Sequence, residues 1–233
     1  MLLEVKKINT YYGVSHILQN VSLEVENGEV AALLGRNGVG KTTTLRSIMG
    51  ITPPKDGSIV FQGNEVRGEK SYTMARNGMA YMPDDLRIFP DLTCLENLEI
   101  SRRLSKRTGY WTRDRVEALF PILHERRKQK GINMSGGEKK MLSLGRALMA
   151  NPLLVLLDEP SEGLAPLIVK ALMQAIKEIR QHEITILLAD QNLKFCRQVC
   201  DRGYILEKGM TVYQDSMENI WSNEEVVSSY LAV

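Results

Sequence analysis

Residues 35–42 read Gly-Arg-Asn-Gly-Val-Gly-Lys-Thr, which fits the phosphate-binding pattern G-x-x-x-x-G-K-[ST]. The residues before this loop, 29–34, are almost all apolar, as expected of a strand that is buried on both faces. The residues after it, 41–49, have helical character, and Gly50 is placed to end the helix. Because a strand precedes the loop and a helix follows it, the sequence predicts an α/β fold with a phosphate site.

The composition of this phosphate loop suits ATP. Glycines let backbone amides wrap closely around phosphate oxygens, and the N-terminus of the following helix adds a positive dipole end. Lys41 can reach the β- and γ-phosphates, and Thr42 offers a hydroxyl group to Mg²⁺. The alternative, a chance match in a glycine-containing turn, is disfavoured by the flanking strand and helix. The predicted ATP-binding residues of the loop are Gly35, Arg36, Asn37, Gly38, Val39, Gly40, Lys41, Thr42 and Thr43, and Lys41 is also predicted to be catalytic.

A second apolar run, residues 153–158, ends in two acids, Asp158 and Glu159. A helical pattern over 168–179 and a third apolar run over 184–189 follow, and this order implies a parallel sheet with right-handed crossovers. Ligands of such sheets bind at the carboxyl ends of the strands, where Asp158 would hold Mg²⁺ and Glu159 would be the general base. Taken alone, two adjacent acids after a strand are more typical of a solvated loop. The phosphate loop on the same sheet favours the catalytic interpretation.

Residues 134–138, Met-Ser-Gly-Gly-Glu, precede a second helical pattern and have two interpretations. Ser135 and Glu138 can form a capping box at the start of that helix. A helix N-terminus can also bind phosphate. Because the chain's own phosphate loop is far away in sequence, the target of such a site can lie on another chain. The candidate nucleotide-contacting residues are Ser135, Gly136, Gly137 and Glu138.

The other strand signals are short and lie near the two ends of the chain. Strict alternation at Val21, Leu23 and Val25 predicts a strand. A hairpin is expected over 203–213, with its turn at Lys208-Gly209. The alternating strand covers residues 21–26, and two more strands are predicted over residues 2–8 and 57–61.

Between about residues 90 and 150 the strand signals vanish and charged, helix-compatible sequence takes over. We interpret this stretch as a helical subdomain inserted into a single domain that covers residues 1–233. Basic clusters within it could contact nucleic acid or lipid headgroups, but interspersed acids are more typical of solvated helix faces. These clusters are Arg102-Arg103, Lys106-Arg107 and Arg126-Arg127-Lys128.

Composition disfavours nucleic-acid-binding, disulfide-rich and membrane-spanning classes of protein. The 233 residues carry a net charge of +2, which gives no argument for a nucleic-acid partner. The three cysteines suggest a reducing compartment and buried thiols rather than a disulfide framework. No window approaches the roughly 20 apolar residues that span a bilayer, and charges near the N-terminus disfavour a signal peptide. We therefore expect that a partner would have to tether the chain if it works at a membrane.

Three of these motifs, Gly35–Thr42, Met134–Glu138 and Leu153–Glu159, occur in the order and spacing of the nucleotide-binding subunits of ABC transporters. Essentially the whole chain resembles that family. Finer strings resemble the F-type ATP-binding subunits of branched-chain amino-acid importers, and the related urea and short-chain amide importers look similar. These strings are Tyr-Tyr-Gly (11–13), Gly-Arg-Ala-Leu-Met (145–149), Leu-Leu-Asp-Glu-Pro-Ser-Glu-Gly-Leu-Ala-Pro (156–166), Asp-Gln-Asn (190–192) and Asp-Arg-Gly-Tyr (201–204).

The resemblance implies an α/β P-loop NTPase of the ABC type, with a mostly parallel core sheet, an N-terminal antiparallel β part and an inserted helical subdomain. Tyr12 would stack on adenine, although on chemistry alone Tyr11 is an equal candidate. The Ser135–Glu138 segment would complete the γ-phosphate pocket of a partner ATPase, so that two nucleotides lie between two subunits. The implied partners are a second, nonidentical ATPase, two transmembrane permease subunits and an external substrate-binding protein. The chain would sit peripherally on the cytoplasmic face of the membrane.

Three positions depart from ABC ATPases at large. Asp84 stands where the wider family has glutamine; its side chain is shorter, but its carboxylate can approach Mg²⁺ or a water bound to Mg²⁺. Gln191 replaces the switch histidine; it can donate a hydrogen bond to the γ-phosphate but cannot carry a proton. Ala165 stands where many relatives have aspartate. Because Glu159 is retained, we predict active hydrolysis, with Asp84 a candidate metal ligand and Gln191 a candidate catalytic residue.

The sequence thus favours an ATPase subunit that energises an importer of branched-chain amino acids or related amino acids, urea or amides. The alternative is a soluble ABC-type ATPase whose dimer clamps a macromolecule in translation, repair or regulation. Such clamps usually carry two ATPase units or long inserted arms, and this chain has neither.

Overall fold

The structure is a computed structural model that describes residues 1–105 and 107–231; Lys106, from one of the basic clusters, lies outside the described residues. The strands in chain order are β1 (Leu3–Tyr12), β2 (Ser15–Val25), β3 (Val30–Leu34), β4 (Asp56–Phe61), β5 (Asn64–Glu65), β6 (Met79–Met82), β7 (Leu154–Asp158), β8 (Thr185–Ala189), β9 (Arg202–Glu207) and β10 (Met210–Ser216). The helices are α1 (Lys41–Ile48), α2 (Ser71–Arg76), α3 (Cys94–Leu104), α4 (Arg113–Leu119), α5 (Pro121–Glu125), α6 (Gly136–Met149), α7 (Pro166–Gln181), α8 (Leu193–Val199), α9 (Met217–Ser222) and α10 (Glu224–Val226). A 3-10 turn covers Gly131–Asn133, and a π-helical turn covers Val227–Leu231.

A six-stranded sheet with the strand order β10-β9-β3-β8-β7-β6 forms the centre of the molecule. β3 runs parallel to β8 and β9, β7 runs parallel to β8 and β6, and β10 pairs antiparallel with β9. The mostly parallel core is therefore confirmed. Because the parallel strands share a direction, Gly35, Asp158 and Asp190 lie at the same edge, where their strands end.

The central strand β3 contributes to the core on both sides of this sheet. Val30, Ala32 and Leu34 pack into the cluster that contains the apolar faces of α6 and α7. Ala31 and Leu33 pack into the opposite cluster, with residues of β1, β2 and α1. This alternation confirms the predicted strand that is buried on both faces and explains its continuous apolar run.

The N-terminal part forms a separate four-stranded antiparallel sheet in the order β2-β1-β4-β5. β1 and β2 both extend beyond the predicted strands and meet at Tyr12, which pairs with Ser15. Register shifts interrupt the β1–β2 pairing, and Lys7 and Asn20 adopt positive φ values of 48° and 56°. These irregularities break the alternation of side chains, which is why the sequence pattern stops short of the strand ends.

Two further elements show where local sequence is informative and where it is not. The β9–β10 hairpin is confirmed, and its turn residues Lys208 and Gly209 both have positive φ, as a tight hairpin turn requires. The strand β6 was not predicted, because Met-Ala-Tyr-Met is short and carries no β-branched residue. Its pairing with β7 fixes it in the sheet.

In the stretch of residues 90–150, the described residues form α3, α4, α5 and α6, and an isolated bridge joins Thr93 to Lys130. Capping boxes begin both α3, at Thr93, and α6, at Ser135. The apolar side of α6 is buried between α3 and the edge strand β6 of the core sheet. This helix therefore connects the helical region to the core sheet.

The three cysteines are free and buried, as expected. Among the described residues, no helix combines the length and the apolar character needed to cross a bilayer.

Candidate functional site

The phosphate loop connects β3 to α1 at the carboxyl edge of the sheet. Gly40 has φ +112°, and a Cβ there would lie 2.8 Å from Leu18 Cδ2. Gly38 has φ +82°, and a Cβ there would meet no atom within 4 Å. The loop therefore needs glycine at Gly40 for packing, whereas the backbone at Gly38 faces open space where a phosphate group can approach.

The N-terminus of α1 has the features of an anion-binding site. In the described structure no side chain caps this helix, and its first turn contains no acidic residue. Its backbone N–H groups are therefore available to a ligand, and the helix dipole adds positive potential. The adjacent loop residues Arg36 and Asn37 are exposed, while Val39 and Thr43 are buried.

Lys41 brings a buried positive charge to this loop. Its side chain is almost fully enclosed, and Nζ donates hydrogen bonds to the carbonyl oxygens of Gly35, at 2.9 Å, and Arg36, at 3.0 Å. Nζ also lies 3.7 Å from Glu159 Oε1. The ammonium group therefore lies between the phosphate loop and the acid that follows β7.

Thr42 and Asp158 provide oxygen atoms beside Lys41. The Thr42 hydroxyl donates to Asp158 Oδ1 at 2.9 Å, and the Tyr81 hydroxyl donates to Asp158 Oδ2 at 2.8 Å. Asp158 is completely buried, and burial raises the pKa of its carboxyl group. A hydroxyl and a carboxylate oxygen are ligands that suit Mg²⁺, so this pair fits the predicted metal site.

Glu159 follows Asp158 in a conformation that is unusual for a side chain with a Cβ. Its φ is +47°, and its N–H donates to the Ala189 carbonyl at 2.8 Å, on the end of β8. A hydrogen bond with the Glu162 side chain, followed by burial, raises the pKa of Glu159 to about 7. A carboxyl group with a pKa near the working pH is suited to accept a proton.

The two neighbouring tyrosines of β1 differ in availability. The Tyr11 ring stacks on His16 with a centroid distance of 4.2 Å and an interplanar angle of 8°. Tyr12 is 44% exposed, and its hydroxyl lies 3.4 Å from Thr52 Oγ1. One face of Tyr11 is thus already covered, whereas Tyr12 is accessible; the role of Tyr12 in stacking on adenine stays a prediction.

The Ser135–Glu138 segment forms the capping box that the sequence predicted. Ser135 Oγ accepts from the Glu138 N–H at 3.3 Å, and Glu138 Oε2 accepts from the Ser135 N–H at 2.7 Å. Arg126 Nε donates to Glu138 Oε1 at 3.0 Å, and the Ser135 N–H holds the pKa of Glu138 below its usual range. These bonds lie within the helical region, so the structure does not tie Ser135 or Glu138 to the chain's own phosphate loop. Gly136 and Gly137 form the first turn of the same helix.

Asp84 and Gln191 lie at the margins of the site. Asp84 is half exposed, and its Oδ1 is 3.7 Å from Arg46 Nη2 on α1. Gln191 is exposed directly after Asp190, a buried residue that accepts hydrogen bonds from the Ser161 and Asn192 N–H groups. The roles of Asp84 and Gln191 toward nucleotide stay predictions.

Three contributors to the site carry no clear sequence signal. Tyr81 belongs to the unpredicted strand β6. Arg46 shares a hydrogen bond with the Tyr81 side chain, and this bond raises the pKa of the Arg46 guanidinium group. Lys140 on α6 donates to the backbone carbonyls of Glu159 and Glu162. Nothing in the sequence distinguishes Lys140 from its neighbour Lys139, because its acceptors are backbone carbonyls, which residues of every type carry.

A family model described as ABC transporter matches residues 18–162, which is more than half of the chain. The chain belongs to the ABC transporter family. It is 40% identical over 231 residues to the high-affinity branched-chain amino acid transport ATP-binding protein BraG of Pseudomonas aeruginosa, covering 99% of each chain. It is 32% identical over 232 residues to the lipopolysaccharide export system ATP-binding protein LptB of Escherichia coli, covering 98% of this chain and 96% of the relative.

A solved structure described as the ATP-binding subunit of an ABC transporter superposes on this chain with a TM-score of 0.86 at 28% identity. The match covers 99% of this chain and 96% of that structure. The ABC ATPase fold is therefore confirmed over the described chain. As an ABC ATPase, the chain binds and hydrolyses ATP, and proteins of this class dimerise and work with transmembrane permease subunits.

Proposed function

We propose that this chain is the ATP-hydrolysing subunit of a membrane importer for branched-chain amino acids or related small amino-acid, urea or amide substrates. The observation that carries the catalytic part is the convergence of Lys41, Thr42, Asp158 and Glu159 at one edge of the sheet. The observation that carries the transport part is the 40% identity to a branched-chain amino acid transport ATPase over nearly the full length.

Each residue of the convergent group has a distinct role in this proposal. The α1 N-terminus and Lys41 bind the phosphates, with Lys41 directed to the β- and γ-phosphates. Thr42 and Asp158 would hold Mg²⁺, which would neutralise charge on the phosphates. Glu159 accepts a proton from the attacking water. Tyr81 restrains Asp158 through its hydrogen bond to Oδ2.

A second ATPase completes each site in this proposal. The Ser135–Glu138 segment begins α6, and its hydrogen bonds lie within the helical region. Gly136 is exposed there, and a Cβ at that position would meet no atom within 4 Å. A helix N-terminus with this exposure can bind the γ-phosphate held by a partner. We propose a nonidentical partner ATPase, so that two nucleotides lie between the two subunits and closure drives the permeases.

The identity values favour amino-acid import among transport functions. The chain is closer to the branched-chain amino acid protein, at 40%, than to the lipopolysaccharide export protein, at 32%. Both are transport ATPases of nearly the same length as this chain. No feature of the described structure favours a macromolecular clamp, so we do not adopt that alternative.

A groove beside the Asp84 loop is the place where we propose that a permease docks. It has a volume of about 540 Å³ and lies between β6, α2, α3 and α6. Its rim includes the exposed apolar side chains of Tyr72 and Leu104, 56% and 76% exposed, together with Arg76 and Arg146. Two permease subunits would tether the ATPase pair to the cytoplasmic face of the membrane, and an external binding protein would deliver the cargo.

The experiment that tests this proposal is affinity purification of the tagged full chain from its native cells in mild detergent, followed by mass spectrometry. We expect two hydrophobic permeases and a second ATPase. Leu104→Asp places a charge in the groove and should remove the permeases. Met210→Asp is the matched control, because Met210 is an exposed apolar residue, 42% exposed, on the opposite edge strand of the sheet.

Recovery of ribosomes, nucleic acid or soluble factors in place of permeases would support the clamp instead. If Leu104→Asp and Met210→Asp lose the permeases equally, the groove is not the docking site. The catalytic part is tested separately by Glu159→Gln. This variant should retain ATP binding and lose about 100-fold or more in turnover, since the amide cannot accept the proton.

A further inference from the structure

Lys140 makes an unusual connection between two parts of the molecule. It lies in the second turn of α6, the helix that the Ser135–Glu138 segment begins. Its Nζ donates hydrogen bonds to the carbonyl oxygens of Glu159, at 2.7 Å, and Glu162, at 2.6 Å. The neighbouring Lys139 instead donates to the Ile132 carbonyl, within the helical region. The contact of Lys140 is therefore directed at the turn that carries Glu159.

That turn holds Glu159 in a conformation that needs support. Glu159 has φ +47°, a region that residues with a Cβ seldom occupy and that persists only where the surroundings determine it. The turn is closed by a long hydrogen bond of 3.3 Å from the Glu162 N–H to the Glu159 carbonyl. Two short, charge-assisted bonds from one ammonium group to this turn are stronger than that closure. The Glu159 N–H also bonds to the Ala189 carbonyl at 2.8 Å, and the Ser161 N–H bonds to the Asp190 carboxylate at 3.0 Å, which tie the turn to the end of β8. Lys140 ties the same turn to α6.

We propose that Lys140 is a positioning residue for Glu159, fastening the turn of the general base to the helix that carries the Ser135–Glu138 segment. The inference rests on the proposed function, because it takes Glu159 as the base. Its consequence is communication between sites. In the proposed function the N-terminus of α6 faces the nucleotide of the partner, while Lys140 on its side holds the base for the chain's own nucleotide. A shift of α6 when one site closes is therefore transmitted to the base of the other site.

The test compares full-length chains that carry Lys140→Met, Lys140→Arg or Lys177→Met with the wild type. Methionine keeps the length of the side chain and removes the ammonium donor, whereas arginine retains donors for both carbonyls. Lys177 is an exposed lysine on α7 and controls for the loss of one positive charge. The readouts are the Kd for ATP by equilibrium binding, the kcat for hydrolysis, and the amide hydrogen exchange of residues 159–165.

For Lys140→Met we expect kcat to fall by about 10- to 100-fold, because the base is misplaced rather than removed. The Kd for ATP should stay within about threefold of wild type, since the phosphate loop is untouched. Amide exchange should accelerate in residues 159–165 and stay unchanged in residues 35–48. Lys140→Arg should restore most of the activity, and Lys177→Met should match the wild type.

Two results would overturn the proposal: a Lys140→Met chain with wild-type kcat and wild-type exchange, or a parallel loss of ATP binding and exchange protection across the chain. The second result would mean that Lys140 only stabilises the fold. If Glu159→Gln hydrolyses ATP as fast as wild type, the proposed function fails. The exchange comparison would still decide whether Lys140 holds the turn.

Discussion

Two helix N-termini in this molecule look alike in sequence and differ in structure. Both lie beside glycines: α1 follows the loop of residues 35–40, and the first two residues of α6 are Gly136 and Gly137. The first turn of α1 has no side-chain cap in the described structure, whereas α6 begins with a complete capping box from Ser135 and Glu138. The first residue of α1 is Lys41, which is basic, while the first turn of α6 contains the acid Glu138.

These differences suit the N-termini of α1 and α6 to different roles in binding phosphate. An uncapped terminus with a buried ammonium group beside it is prepared to bind several phosphate oxygens. A terminus that satisfies its own amides with side chains is stable without a ligand, and fewer of its N–H groups remain for one. We therefore expect α1 to supply most of the nucleotide affinity and α6 to respond to a nucleotide that another chain already holds.

The largest expected effect is at α1. Lys41→Ala removes the ammonium group that lies between the phosphate loop and Glu159, so both ATP affinity and turnover should fall by about 100-fold or more. Equilibrium ATP binding and steady-state hydrolysis measure the two effects. Lys177→Ala is the control for loss of a charge at an exposed site. Near-normal ATP binding by Lys41→Ala would break the comparison, because α1 would then not be the main source of affinity.

The glycines of the loop separate packing from ligand approach. Gly40→Ala places a methyl group against Leu18, so it should destabilise the fold more than Gly38→Ala, which meets no neighbour. Each substitution also carries the cost of positive φ, about 1–2 kcal/mol. Gly38→Ala should still weaken ATP binding by about tenfold, because its methyl group enters the space available to phosphate. Urea unfolding and ATP titration of both variants measure this; equal stability losses would contradict the packing argument.

Glu159, the acid that follows β7, gives a pH dependence. The pKa of Glu159 is about 7, and a general base acts when deprotonated, so kcat/KM should rise as the pH increases through about 7. Glu162→Gln replaces the carboxyl group that raises this pKa with an amide that can donate to Glu159. The rise should move to lower pH by about one unit. The pH profile of kcat/KM for wild type and variant measures the shift; an unmoved profile would remove Glu162 as its cause.

The smallest expected effect is at α6. Ser135→Ala removes the cap and should cost about 1 kcal/mol of folding free energy, measured by urea unfolding. Thr93→Ala is the matched control, because Thr93 forms the same capping box at the start of α3. The two variants should lose similar stability and bind ATP as wild type. Because the proposed function places the α6 terminus at the γ-phosphate of a partner, only Ser135→Ala should also lower turnover. Equal turnover of the two variants would leave this terminus with a capping role alone.

Much of this site could be predicted from neighbouring residues in the chain. The apolar run before Gly35, the helix after it and the acids that end β7 each indicate a local structure, and parallel strand order brings them to one edge. The strand β6 could not be predicted in the same way, because only its pairing with β7 makes Met-Ala-Tyr-Met a strand. The Tyr81–Asp158 hydrogen bond joins residues 77 positions apart, and β6 brings Tyr81 to Asp158.

The phosphate loop, the two acids after β7, the capping box of α6 and the family can all be recognised before folding is considered, because each consists of residues that are adjacent or regularly spaced in the chain. The groups that act on those residues are brought to them only by folding. Lys140 reaches the carbonyls of Glu159 and Glu162, and Glu162 raises the pKa of Glu159, through contacts across a folded turn. Backbone carbonyls are the same in every residue, so a side chain that binds them leaves no pattern in the sequence and becomes visible only when the chain has folded.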